Sequence, residues 1–247
     1  MVGARPRHGY QRPGPTIPGM KRIGVVLVFG LALLAGCTGG GSGTTSLPAA
    51  SGLLGTSAAS MRAVTSVHFT INVTGTLAAV PVKSAEGDLN SQGQAKGNAK
   101  LSELGQLIQV DFVLINGNFY LKGLTGGYQK IPATLAGSMF DPSAILDPKR
   151  GVAAVLAGLA SPKTEAQEQV DGQDTYRISG SVGKAVVSAL IPGIGSDVQT
   201  KVWVATDAEH LPVKAEFAVP GVDGAQGATV DVDISNYNAP VTVTAPN

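Results

Sequence analysis

The segment Val67-His68-Phe69-Thr70-Ile71-Asn72-Val73-Thr74-Gly75-Thr76-Leu77 puts an apolar residue or glycine at every odd position and a polar residue at every even one. Side chains of a strand point alternately to its two faces, so this period of two specifies a half-buried strand. Val67, Phe69, Ile71, Val73 and Leu77 are its inward set. The same reading gives strands at 82–89, 95–101, 107–115 and 118–122. Asn116-Gly117 joins the last two as a hairpin, because both residues tolerate the positive φ that a tight turn needs. A short strand follows at 128–131. Further strands run over 165–170 and 175–181, separated by Asp171-Gly172, and over 199–206, 211–219 and 228–235. Residues 241–244 read as an edge strand. Helices are expected at 53–64, 142–146, 151–159 and 184–191. The third of these carries Val152, Val155, Leu156 and Leu159 on one stripe. The class is α+β, one large antiparallel sheet with helices inserted between its two halves.

One strand departs from the usual filling of a core. Its inward positions, Ala95, Gly97, Ala99 and Leu101, are nearly all small, while Lys96, Asn98 and Lys100 mark the solvent face. Other strands carry bulky inward residues: Ile108, Val110, Phe112 and Leu114; Val213, Ala215, Phe217 and Val219; Val230, Val232 and Ile234. Interiors are close-packed, so a small-residue flank means either close approach of another element or vacant space. Both readings stand at this point. A strongly curved sheet with such a flank can hold an apolar cavity.

The N-terminal region has a different character. Lys21-Arg22 precedes the apolar run 23–34, and Leu34-Ala35-Gly36-Cys37 closes it with the only cysteine of the chain. A charged start, an apolar middle and small residues before a cut site are the marks of a secretory signal. The run is well short of the roughly twenty residues a bilayer-spanning helix needs. Leu-Ala-Gly-Cys resembles a bacterial lipobox, at which the cysteine thiol is diacylated, the signal is cut before it and the new amine is acylated. The expected organisation is a signal over 1–36, an acylated Cys37 with a flexible Gly/Ser-rich linker to residue 52, and a single domain over 53–247. Met20-Lys21-Arg22 is a sufficient signal start by itself, so translation begins at Met1 or at Met20. With its one cysteine acylated, the mature chain forms no internal disulfide.

Charge and composition exclude whole classes of function. The net charge is +1, and no Lys/Arg cluster occurs beyond the signal, so nucleic acid is not an expected partner. Aromatics are 5% of residues, too few for stacking on sugars or single strands. Charged residues are 14%, against roughly a quarter in soluble domains. Of the histidines in the body, His68 sits at an outward strand position and His210 in a turn. No Gly-x-Ser-x-Gly elbow is present. Gly180-Ser181-Val182-Gly183-Lys184 lacks the leading glycine and trailing hydroxyl of a phosphate loop. Asp231, Asp233 and Glu216 alternate on outward strand faces as solvated charges. No catalytic residue, metal or cofactor is expected.

Several segments in fixed order resemble the LppX/LprA/LprF/LprG family of mycobacterial envelope lipoproteins. They are Ser66-Val67-His68, Glu86-Gly87-Asp88-Leu89, Gly97-Asn98-Ala99-Lys100 and Asp111-Phe112-Val113. The most specific is Phe140-Asp141-Pro142-Ser143-Ala144-Ile145-Leu146-Asp147 with Gly151-Val152. Asp171-Gly172-Gln173, Ile178-Ser179-Gly180, Val202-Trp203-Val204 and Asn238-Ala239-Pro240-Val241-Thr242-Val243 follow. Two departures are visible: Tyr237-Asn238 replaces a common Trp-Gly, and Phe140 a usual Tyr. The LprF branch is the most similar. The resemblance implies a strongly curved antiparallel half-barrel with helices packed against it, enclosing an apolar lipid cavity. It places Ala99 in the pocket wall near the entrance. It also implies binding of multi-acyl glycolipids such as phosphatidylinositol mannosides, and carriage between the cytoplasmic membrane and the outer envelope. The protein itself is expected on the extracytoplasmic face of the membrane, with a lipid exporter as partner. The expected lining joins Phe69, Ile71, Val73, Ala95, Gly97, Ala99, Leu101, Ile108, Val110, Phe112, Leu114, Val152, Val155, Leu156, Leu159, Val213, Phe217, Val230, Val232 and Ile234. The alternative is a structural or signalling lipoprotein that docks a membrane protein and carries no lipid.

Overall fold

The computed structural model describes residues 46–77, 81–123, 126–136, 141–192, 194–221 and 226–246. Cys37, the signal, most of the linker and Phe140 lie outside them. The order of elements is α1 (Ala50–Ala63), β1 (Ser66–Gly75), β2 (Val82–Asn90), β3 (Ala95–Glu103), β4 (Gln106–Ile115), β5 (Asn118–Lys122) and β6 (Tyr128–Pro132). Then come α2 (Ala133–Ala136), a 3₁₀ helix (Pro142–Leu146), α3 (Val152–Ala157), β7 (Leu159–Val170), β8 (Gln173–Val182), α4 (Lys184–Leu190), β9 (Val198–Ala205), β10 (Pro212–Val219) and β11 (Ala228–Ser235). No helix among the described residues is long and apolar enough to cross a membrane.

Helix α1 buries Ala50, Leu53, Leu54, Ser57, Ala58 and Met61, a stripe at helical spacing, against α3 and β7. It stops where Val64 and Thr65 turn extended into β1, with Val64 N–H donating to the Met61 carbonyl. Asn116 and Gly117 take φ of 51° and 69°, the mirror-image turn that matches strand twist, and close the β4–β5 hairpin. Asp171 and Gly172, at 50° and 81°, do the same between β7 and β8. All pairings are antiparallel, in the order β6-β5-β4-β3-β2-β1-β11-β10-β9-β8-β7. The inward residues of these strands and the helices form one apolar core.

The sheet is open, and the half-barrel expectation is overturned. It neither closes nor curls strongly, and β6 and β7 are free edges at opposite ends of the strand order. Closure would need β6 to pair with β7, and both edges are built against pairing. Strand β6 is five residues long, carries Lys130 and ends on Pro132. Strand β7 has register shifts at Ala160/Lys163 and Thr164/Ala166, with Ser161 at φ 49°. Short length, proline, lysine and bulges are the usual means of blunting an edge.

Two further expectations change. Leu159 is not on the α3 stripe, because α3 ends at Ala157 and β7 starts at Leu159; its side chain is buried all the same, over Gly180. Residues 241–244 form no strand. The tail is tied down instead by side chains: Thr65 N–H donates to Asn238 Oδ1 at 2.8 Å, and Lys96 Nζ to the Thr242 carbonyl at 3.1 Å. Ser66 Oγ donates to the Ala239 carbonyl, and Val243 is buried.

Candidate functional site

Three short elements, the 3₁₀ helix, α3 and α4, lie over the middle of the sheet, and the interface between them is the candidate site. Asp141 starts the 3₁₀ helix by accepting from Ser143 N–H (3.1 Å) and Ser143 Oγ (2.6 Å). Pro142 suits a first helical position because its missing N–H is not needed there. Lys184 N–H at the start of α4 donates to Asp197 Oδ1 at 2.7 Å. Val187 of α4 is fully buried. A cavity of about 50 Å³ remains beneath, lined by Ile71, Val73 and Leu77, Val82 of β2, Ile145, Val152, Leu190, Ile191, Pro192, and Val230 and Val232 of β11. Asp141 is the one charged lining residue. A second hollow, about 20 Å³, shares Val152, Leu190 and Val232 with the first and adds Val155, Leu156, Val202, Pro212, Lys214, Ala215, Phe217 and Ile234. Together they make a narrow, branched, aliphatic seam.

Nine of the expected lining residues meet along this seam: Ile71, Val73, Val152, Val155, Leu156, Phe217, Val230, Val232 and Ile234; Leu159 is buried in the adjoining core and lines neither hollow. Phe69, Ala95, Ala99, Phe112 and Leu114 are buried in the same core but line neither hollow. Leu101 and Val110 pack against its rim, Gly97 is half-buried between β2 and β4, and Ile108 is half-exposed. Val213 lines a separate polar cavity at the other end of the sheet. Sequence reasoning faced Leu77 inward without placing it in the lining, and missed Val82, Ile145, Leu190, Ile191 and Pro192. The available signal was the apolar end of α4, Leu190-Ile191-Pro192.

A small ion-pair cluster borders the seam. Arg150 reaches Asp141 (3.1 Å) and Asp147 (2.9 Å). Burial pushes the Asp147 carboxyl up, but hydrogen bonds from Arg150 and from the Lys149 and Arg150 backbones outweigh it and hold it below the usual range. On the outer sheet face, Lys201 pairs with Glu216 (2.8 Å) and Lys214 with Asp231 (3.0 Å). Glu168 accepts from Trp203 Nε1 (2.5 Å) and from Arg177 (3.0 Å). His68 Nδ1 lies 2.8 Å from Asp88, and His210 Nδ1 2.8 Å from the Ala205 carbonyl. These groups are spread over a solvated face and converge on no common point.

The separate polar cavity, about 480 Å³, is lined by Asp171, Asp207 and Asp233 with Tyr237 and others. Burial, with the charges of Asp171 and Asp231, raises the Asp233 carboxyl above its ordinary value despite Lys214 nearby. A raised acid destabilises the fold only when ionised, so the penalty is absent at low pH and grows as pH rises through the folded value. Asp233→Asn is therefore expected to raise the melting temperature at neutral pH and to leave it unchanged below pH 3.8, the unfolded value. Melts across pH check this, and an equal gain at both ends would contradict it.

Residues 49–243 match the LppX_LprAFG lipoprotein family. The chain belongs to that family. The chain is 33% identical to the lipoarabinomannan carrier protein LprG of Mycolicibacterium hassiacum, over 87% of this chain and 93% of the relative. It is 30% identical to LprG of Mycobacterium tuberculosis, over 92% and 95%. Among solved structures it is similar to LprF from Mycobacterium bovis, with TM-score 0.69 and 27% identity over 80% of this chain and 96% of LprF. It shares its fold with the lipoprotein LppX of Mycobacterium tuberculosis, at TM-score 0.61 and 24% identity over 81% and 100%. The sequence relatives carry the LprG name and the solved structures the LprF and LppX names, so family membership stands and the expected LprF branch is not singled out.

Proposed function

We propose that the protein is a lipid-anchored carrier that holds the acyl chains of an envelope glycolipid between its sheet and its short helices. The observation that carries this reading is the aliphatic seam under α3, α4 and the 3₁₀ helix. Curated relatives named as lipoarabinomannan carriers support it at 30–33% identity. Branched aliphatic walls suit flexible chains because they demand no directional bonds. Each methylene taken from water stabilises the complex by about 0.8 kcal/mol before ordering costs, so several chains bind tightly without any catalytic step.

At about 50 Å³ the seam is narrow and only partly open to solvent. Uptake then requires α4 and the 3₁₀ helix to lift from the sheet. The strands are joined by continuous ladders, whereas α4 is held mainly by side-chain packing, from Val186, Val187, Leu190 and Ile191, with a bond from Lys184 to Asp197. The weaker contact opens first. The headgroup stays at the mouth beside Asp141 and Arg150. Cys37 and the linker to residue 52 keep the body of residues 53–247 at the outer face of the cytoplasmic membrane, where a lipid exporter hands cargo over. Phosphatidylinositol mannosides and related multi-acyl lipids are the expected class.

Protein purified from an actinobacterial host and extracted with organic solvent should yield a multi-acyl glycolipid near one per chain by mass spectrometry. Protein that yields no lipid beyond its own anchor would overturn the carrier reading.

A further inference from the structure

We propose that the tip of the β3–β4 hairpin is a wedge that inserts into an anionic membrane surface during lipid exchange, an inference that rests on the carrier reading. Leu104, at the tip, is 100% exposed and Leu107 is 65% exposed. They are two of the three large hydrophobic side chains exposed among the described residues. A single exposed leucine means little, but Leu104 also has φ 48°, a left-handed conformation that a bulky residue rarely adopts. Packing does not hold it there, because the side chain touches solvent on every side.

The hairpin also projects. Strand β2 pairs with β3 only as far as Val82 opposite Leu101, with one further bond from Ser102 N–H to the Pro81 carbonyl. Strand β5 pairs with β4 only as far as Lys122 opposite Asp111. Among the described residues, β3 and β4 continue beyond these points as a two-stranded ribbon, which at strand rise carries Leu104 roughly 10 Å past Val82. Val82 lines the seam, so the ribbon stands at the end of the sheet where the seam's Leu77 and Val82 lie.

Charge favours an anionic lipid surface over a protein groove. Lys83, Lys100 and Lys122 flank the base of the ribbon, with Glu103 and Asp111 as the nearby acids. The acidic groups Asp171, Asp207 and Asp233 gather at the opposite end of the strands. An apolar tip on a ribbon whose base carries three lysines against the two acids Glu103 and Asp111, with the acidic end of the strands opposite, suits a headgroup layer.

The test uses the acylated protein, whose one native thiol is consumed at Cys37. A Leu104→Cys variant labelled with an environment-sensitive dye is compared with Asn116→Cys, in the turn at the far end of the sheet. Both are placed on vesicles of phosphatidylglycerol and phosphatidylcholine. The dye at 104 should shift to the blue and be quenched by nitroxide lipids, and the dye at 116 should do neither. A second variant, Leu104→Asp with Leu107→Asp, should slow lipid transfer between vesicles by at least about tenfold and load lipid from detergent solution as the wild type does. A water-exposed dye at 104, or unchanged transfer, overturns the wedge. A wild type that loads no lipid overturns the carrier reading instead, and the dye still decides the hairpin.

Discussion

Replacing Cys37 with Ala should move the protein from the membrane pellet to the carbonate-soluble fraction. The apolar run 23–34 is too short to span a bilayer as a permanent anchor. On the proposed anchoring, stable attachment depends on acyl chains at Cys37, and one chain alone gives only marginal, reversible binding. A diacylglyceryl group with an added amide-linked chain exceeds that threshold, so the loss on substitution is close to complete. Fractionation followed by blotting reads the result, and mass spectrometry of the N-terminal peptide should show acyl mass only in the wild type. A Cys37→Ala protein that resists high salt and carbonate would remove the anchor from the proposed function.

Gly97→Ala should destabilise the fold by about 1–3 kcal/mol, the usual cost of overpacking. The reason lies in one row across the sheet, where Phe69 faces Gly87, Gly87 faces Gly97 and Gly97 faces Phe112. A Cβ at Gly97 would stand 2.7 Å from Gly87 Cα and 2.9 Å from the Glu86 carbonyl carbon. Both neighbours are backbone, so no side chain can swing away. At roughly 2–4 °C per kcal/mol for a domain of this size, the melting temperature falls several degrees. Gly55→Ala is the contrast: nothing lies within 4 Å of its added Cβ, and it sits inside α1. There alanine should stabilise by about 0.5–1 kcal/mol. Equal melting of Gly97→Ala and wild type would mean that the two strands are not held so close.

That row also answers the choice left open by the small inward residues of β3. Gly97 marks close approach of two backbones. Ala95 and Ala99, at 0% and 4% exposure, are enclosed in packed core. Among the described residues, the open space lies farther along the sheet, beneath α4, where the inward residues are large. Residue size along one strand reports how near the next layer sits, and it does not say which layer that is.

Local pattern was enough to locate most of the strands, but it missed the first six residues of β7 and placed a strand at 241–244 where none forms. The period of two fixes which residues of β1 face inward, and Asn118–Lys122 and Ala228–Ser235 begin and end where their apolar alternation does. Asn116-Gly117 determined its own turn, because few other pairs accept positive φ at both positions. The leader, linker and acylation site expected in residues 20–52 rest on a contiguous string of sequence and lie mostly outside the described residues. Whether the sheet closes was decided elsewhere. It depends on β6 and β7, which are far apart in sequence, and on a proline and two bulges whose effect exists only once strands are paired. The seam was decided in the same way. Its walls come from β1, β2, β11, the 3₁₀ helix, α3 and α4, and its volume is the small remainder after all of them have packed, a quantity that no single segment carries.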